Sequence, residues 1–167
     1  MQPSIMFTPT AVANDVSELS RALLRKLLNQ SNCPACTITS TTRTAARQAL
    51  AMYNNIRKYG EDGQLKLYGP AGDQVIEEYH RQKLAGAGEK KILTAMEATI
   101  LSIGPSKVSL HCADPKKLNV IDIAPSSIQS AGAFFDALAQ AKKEGSVSRF
   151  FSPGSHDPAF HVEIPQI

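Results

Sequence analysis

Three side chains in the C-terminal half carry the sharpest chemistry of this sequence: His111, Asp122 and His161. Two neutral imidazoles and one carboxylate form the donor set of a catalytic Zn²⁺ site, where three protein ligands leave the fourth tetrahedral position to water. Asp122 sits in Asn119-Val120-Ile121-Asp122-Ile123-Ala124, among apolar neighbours. Burying a carboxylate there costs several kcal/mol unless a cation or hydrogen bonds compensate it. Metal ligation is one resolution; an ion pair with Arg43 and a solvent-facing strand end are the others. In Phe160-His161-Val162-Glu163-Ile164, alternation places His161 and Glu163 on one strand face and the three apolar residues on the other. That polar face is either a ligand-bearing surface or a solvated one. His111 follows Val108-Ser109-Leu110, at the end of an expected strand. The competing acid Asp114 lies in Ala113-Asp114-Pro115, which reads as a turn. A strand holds a ligand more rigidly than a loop, so Asp122 is preferred.

A hydrolytic zinc site also needs a base, and Asp157 and Glu163 are the nearby acids. Upstream, Ser40-Thr41-Thr42-Arg43 ends in a cation at an expected helix start, the unfavourable end of the helix dipole. Arg43 is therefore read as a group that holds a substrate carboxylate or stabilises an oxyanion, with a surface arginine as the alternative.

The remaining metal-binding chemistry lies in Cys33-Pro34-Ala35-Cys36. This spacing suits a zinc site or a redox pair, yet no second C-x-x-C accompanies it. The pair reads as incidental thiols, a local disulfide, a redox motif, or structural zinc ligands together with a histidine. Cys112, beside His111, should point away from a site that His111 faces.

The elements that must position these groups follow from periodicity. Asn14 or Asp15 is expected to cap a helix running to Asn29, with Val16, Leu19, Leu23, Leu24, Leu27 and Leu28 on one stripe. A β-branched strand is expected over 37–41. Thr44 caps a helix over 45–58 whose inner face is Ala49, Met52, Tyr53 and Ile56. Gly60, Gly63, Gly69 and Gly72 punctuate a loop before a helix over 73–84. Another helix spans 89–103 and stops at Gly104-Pro105. Strands are expected over 107–110, 118–124, 147–151 and 159–164, with a helix over 130–143 between them. Helices early and strands late predict an α+β fold, with helices packed on a small antiparallel sheet. The 167 residues read as a single domain, with 1–36 as an N-terminal helical extension and 37–167 as the core.

Composition removes some classes of function. The net charge of +3 comes without a Lys/Arg run or a basic-aromatic stripe, which argues against nucleic acid as a partner. No apolar run reaches the length of a membrane span. Residues 1–14 hold no Lys or Arg and no continuous apolar core, so no cleaved secretory signal is expected and synthesis is placed in the cytoplasm.

Taken in order, these motifs resemble the D-alanyl-D-alanine carboxypeptidase family of zinc peptidases, whose fold is shared with the Hedgehog signalling domain. The resembling segments are Ser40-Thr41-Thr42-Arg43, then Gln48 and Met52-Tyr53, then Ser109-Leu110-His111, Val120-Ile121-Asp122-Ile123 and His161-Val162-Glu163. They span roughly residues 38–165. The resemblance implies Zn²⁺ on His111, Asp122 and His161, Arg43 near the scissile carbonyl or terminal carboxylate, and Ser40, Gln48, Ser109 and Glu163 as substrate-binding groups. It further implies hydrolysis of peptidoglycan stem peptides, as a carboxypeptidase or an endopeptidase. Members without signal peptides include phage endolysins, which implies delivery to the cell wall by lysis or by a dedicated export system.

Two departures from the family pattern stand out. The gap between His111 and Asp122 is longer than usual, with Asp114-Pro115-Lys116-Lys117 as the insertion. The family's catalytic acid lies three residues before the last histidine, where this chain has Pro158. Asp157, one residue earlier, is the expected base, and His156 is its substitute. Without either, the scaffold would be a non-catalytic module that binds cell-wall peptides or a protein partner.

Overall fold

The computed structural model describes residues 2–154 and 158–167. Its class is α+β, as the order of helical and strand periodicities predicts. The chain forms two compact units: residues 1–42 with 113–167, and residues 43–112.

The first unit holds the sheet. Its strands are β1 (Ser4–Phe7), β2 (Ala35–Ser40), β3 (Leu118–Ile123), β4 (Arg149–Phe151) and β5 (Phe160–Pro165). Among the described residues the spatial order is β1-β2-β3-β5-β4. The expected all-antiparallel sheet is corrected at one edge, because β1 pairs parallel to β2. A parallel pair needs a crossover, and helix α1 (Glu18–Gln30) supplies it. The four-residue β1 is too short for its alternation to register in the sequence. The other pairs, β2 with β3, β3 with β5 and β4 with β5, are antiparallel.

Alternation within β3 and β5 decides which face is dry. Ile121 and Ile123 of β3 join Ile38 of β2 and Phe160, Val162 and Ile164 of β5 in one buried cluster. Onto it pack Leu24, Leu27 and Leu28 of α1 and Phe134, Ala137, Leu138 and Ala141 of helix α7 (Ala131–Lys143). The i, i+3, i+4, i+7 spacing on α7 is one helical face. Phe134 meets Phe160 edge to face, with ring centroids 5.2 Å apart. Each fully buried Leu or Phe contributes about 1.5–3 kcal/mol relative to exposure.

Helix α1 starts later than Asn14 and Asp15 predict. Residues Ala13–Asp15 form a 3₁₀ turn, and the Ser17 hydroxyl is the true cap, accepting from the Ser20 backbone N–H. Asn119 of β3 locks this entry. Its carboxamide accepts from the Ser17 N–H at 2.9 Å and donates to the Asp15 and Pro115 carbonyls at 2.8 Å each.

The second unit is helical: α2 (Ala45–Tyr59), α3 (Glu61–Leu65), α4 (Pro70–Leu84), α5 (Glu89–Ile103) and α6 (Pro105–Val108). Ala49, Met52, Tyr53 and Ile56 do form the inner face of α2, against Val75, Ile76, Tyr79, Ile92, Met96 and Ile100. Three expectations need correction. The glycine-rich stretch contains α3. Helix α4 begins at Pro70, since proline's fixed φ suits a first helical position. The strand expected over 107–110 is instead α6 followed by a 3₁₀ turn, Leu110–Cys112. Gly104, at φ 102°, ends α5, and Pro105 starts the next helix at once. Among the described residues no helix is long and apolar enough to cross a membrane.

Candidate metal centre

The sheet unit brings Asp122 and His161 together by register. Asp122 of β3 is the direct partner of His161 in β5, and Ser40 of β2 is the partner of Asp122 on the other side. Phe151 of β4 faces His161 from the far strand. Four strands thus carry Ser40, Asp122, His161 and Phe151 in one row across the sheet. Residues directly opposite in antiparallel strands share a face, so the row lies on the side opposite the α1–α7 core.

His161 Nδ1 lies 3.0 Å from Asp122 Oδ1. Its Nε2 lies 3.1 Å from Glu163 Oε1. Glu163 pairs further with Arg149 Nε at 3.4 Å, across a β4–β5 register pair. The Phe151 ring covers His161 with centroids 5.5 Å apart, and the Arg149 guanidinium lies over that ring at 4.7 Å. The polar face of β5 is therefore not a solvated one. The His161 side chain is 11% exposed and that of Glu163 is 5% exposed.

Burial alone would lower the His161 pKa. The hydrogen bonds and charges of Asp122 and Glu163 outweigh it and push the imidazole up to about 9. This shift favours the protonated ring, which would present an N–H to a carboxylate at each nitrogen. A divalent cation suits the Asp122 side of this ring. Two donors on a tetrahedral Zn²⁺ stand about 3.3 Å apart, given bonds of about 2.0–2.2 Å. The Asp122–His161 spacing is close to that, so a proton and a metal ion compete for one gap.

The helical unit positions a second set. His111 is buried in the turn that ends this unit, two residues before the chain re-enters the sheet unit at Ala113. The Ser109 hydroxyl accepts from the His111 N–H at 3.4 Å, and the His111 carbonyl accepts from the Arg43 N–H at 2.7 Å. The Arg43 guanidinium donates to Gln48 Oε1 at 3.2 Å, and Gln48 Nε2 donates to the Tyr68 hydroxyl at 3.1 Å. Gln48 is fully buried. Arg43 is thus a held side chain, not a loose surface cation. Thr44 caps α2 as predicted, its hydroxyl accepting from the Arg47 N–H.

Asp157 and His156, the expected base and its substitute, lie outside the described residues. Arg149, Phe151 and Tyr68 were not anticipated. The signal for Arg149 and Phe151 was their alternation two residues apart in Arg149-Phe150-Phe151, which matches His161 and Glu163 once the two strands are aligned. For Tyr68 no comparable signal exists.

Cys33 and Cys36 are buried thiols within the apolar core of the sheet unit, and Cys33 Sγ accepts from the Ser130 N–H. Burial, and then the neighbouring Cys33, pushes the Cys36 thiol up to about 12, which opposes the thiolate that a metal or redox role requires. Burial likewise raises Cys112, to about 11. Among the described residues no set of three potential metal ligands includes Cys33 or Cys36. Comparison with protein-family models, with curated proteins and with solved structures returned no match for this chain.

Proposed function

We propose that this chain is a zinc-dependent peptidase that hydrolyses peptide bonds in bacterial peptidoglycan stem peptides, as a carboxypeptidase or an endopeptidase. The observation that carries the reading is the Asp122–His161 pair, registered across β3 and β5 with its donor atoms 3.0 Å apart. In this reading Asp122 and His161, neighbours in the sheet unit, supply two ligand atoms, and His111 is the expected third. Three protein ligands, two of them imidazoles, suit a catalytic zinc better than a closed structural one. A Zn²⁺ ion held there supplies Lewis acidity and an activated water near neutral pH.

The chain's own residues do the rest. Asp122 and His161 bind the ion, and Phe151 excludes water from one side of the imidazole. Arg43, held by Gln48, presents its guanidinium to a substrate carboxylate or to the oxygen that gains charge during attack. Asp157 accepts the proton. The resemblance of the ordered motifs to the D-alanyl-D-alanine carboxypeptidase family supports the substrate class. Delivery to the wall by lysis or by dedicated export belongs to the same reading.

The test starts with elemental analysis. The purified chain is expected to hold stoichiometric zinc and Asp122→Ala to lose it; full metal content in that variant excludes this ligand set. Digestion of peptidoglycan should release new free amino groups, and a chelator should stop the release. Asp157→Ala should keep the zinc and lose the activity. Pro158, at the family's acid position, favours a second reading: a non-catalytic module that binds cell-wall peptides. Zinc retention and peptide binding without any release of amino groups would establish it.

A further inference from the structure

A metal-binding histidine has two nitrogens, and its second nitrogen is normally tied to a carboxylate, a carbonyl or water that fixes ring orientation and tautomer. His161 meets that requirement within the sheet unit alone. Its Nδ1 faces Asp122 at 3.0 Å, and its Nε2 faces Glu163 at 3.1 Å. Glu163 is 4% exposed, and its partners are His161 and Arg149. A carboxylate so enclosed would be costly without both of them. The half-exposed Arg149 supplies the compensating charge from the neighbouring strand, at the register position directly opposite.

We propose that Glu163, held by Arg149, is the positioning residue of the metal centre: it takes the Nε2 proton of His161 as a hydrogen bond and leaves Nδ1 as the ligating nitrogen. Ligation then needs no ring flip, because Nδ1 already faces Asp122. Arg149 acts one step further out, keeping Glu163 ionised and aimed. Glu163 is thereby a group that acts through His161, with no direct contact to substrate. The inference rests on the metal reading above, and its test separates the two.

The probes are Zn²⁺ and Cd²⁺ alone, added to the full chain. Glu163→Ala is expected to weaken Zn²⁺ binding by about 10- to 100-fold, the usual effect of removing an outer-shell partner. Glu163→Gln keeps an acceptor for the Nε2 proton and should recover part of that loss. Arg149→Met should weaken binding less than Glu163→Ala does. The spectroscopic readout is ¹⁵N–¹¹³Cd coupling in histidine-labelled protein. In the wild type the Cd²⁺ ion should couple to His161 Nδ1, while Nε2 keeps a slowly exchanging proton. In Glu163→Ala that proton should exchange fast. Cadmium coupling to Nε2, or wild-type affinity and an unchanged spectrum in Glu163→Ala, overturns the assignment while leaving the metal site standing. A wild-type chain that binds neither ion overturns both. A loss of Zn²⁺ affinity in Glu163→Ala with no recovery in Glu163→Gln, and with the Nε2 proton unchanged, would mark the residue as structural and also overturn the assignment.

Discussion

His161 carries a carboxylate at each ring nitrogen, and this gives the metal-free protein a definite pH response. Its folded pKa, about 9, lies above the ordinary 6.5. A raised pKa means that the folded state holds the proton more tightly than the unfolded chain does. The stabilisation is fully present below about pH 6.5 and is lost as pH rises through about 9. Urea unfolding in the presence of a chelator should therefore show a lower midpoint at about pH 9.5 than at pH 6, and Asp122→Asn should flatten the difference. Equal midpoints in the unmodified chain would remove the two-carboxylate account. At this scale much was legible. The alternation in 160–164 alone put His161 and Glu163 on one face, and the apolar run around Asp122 marked a carboxylate in need of a partner. The cover over that face was not legible, because Arg149 and Phe151 arrive from a strand whose register only the fold establishes.

Local signals located most elements, and their failures have local causes. Helix α5 matches its periodicity from end to end, since Gly88 and Gly104 bound it. The segment after Gly104 failed because Gly104 ends one helix and Pro105 starts another at once, and Val108-Ser109-Leu110 is too short to declare a period. One element-scale feature yields a clear test. Gly72 lies in the first turn of α4, and a Cβ there would stand 2.5 Å from the Tyr68 Cβ. Replacing a helical glycine by alanine normally gains up to about 1 kcal/mol. Overpacking of this kind costs about 1–3 kcal/mol, so the clash outweighs the propensity. Gly72→Ala is expected to lower the denaturation midpoint and to displace Tyr68 from its bond with Gln48. A stabilised variant would show that Tyr68 moves aside freely.

The molecule as a whole divides into a sheet unit and a helical unit, a partition that hydrophobic periodicity does not reveal, because each segment looks equally core-forming along the chain. The buried thiols report on the sheet unit's integrity. Cys36 is fully buried and its thiol is raised to about 12, so it should resist an alkylating reagent at about pH 8 until the sheet unit opens. Its labelling rate, followed by mass spectrometry across a urea series, should track unfolding of the strands and not the reagent concentration alone. Fast labelling of the native protein would show that this core breathes.

The helical unit enters the chain between two strands that are neighbours in the sheet, since β2 ends at Ser40 and β3 begins at Leu118. On a ribosome β1, α1 and β2 emerge long before β3, the second partner of β2, exists. Until then the inner border of β2 offers bare N–H and C=O groups to any passing strand. The nascent chain has a built-in interval of vulnerability, and the time needed to synthesise residues 41–117 sets its length.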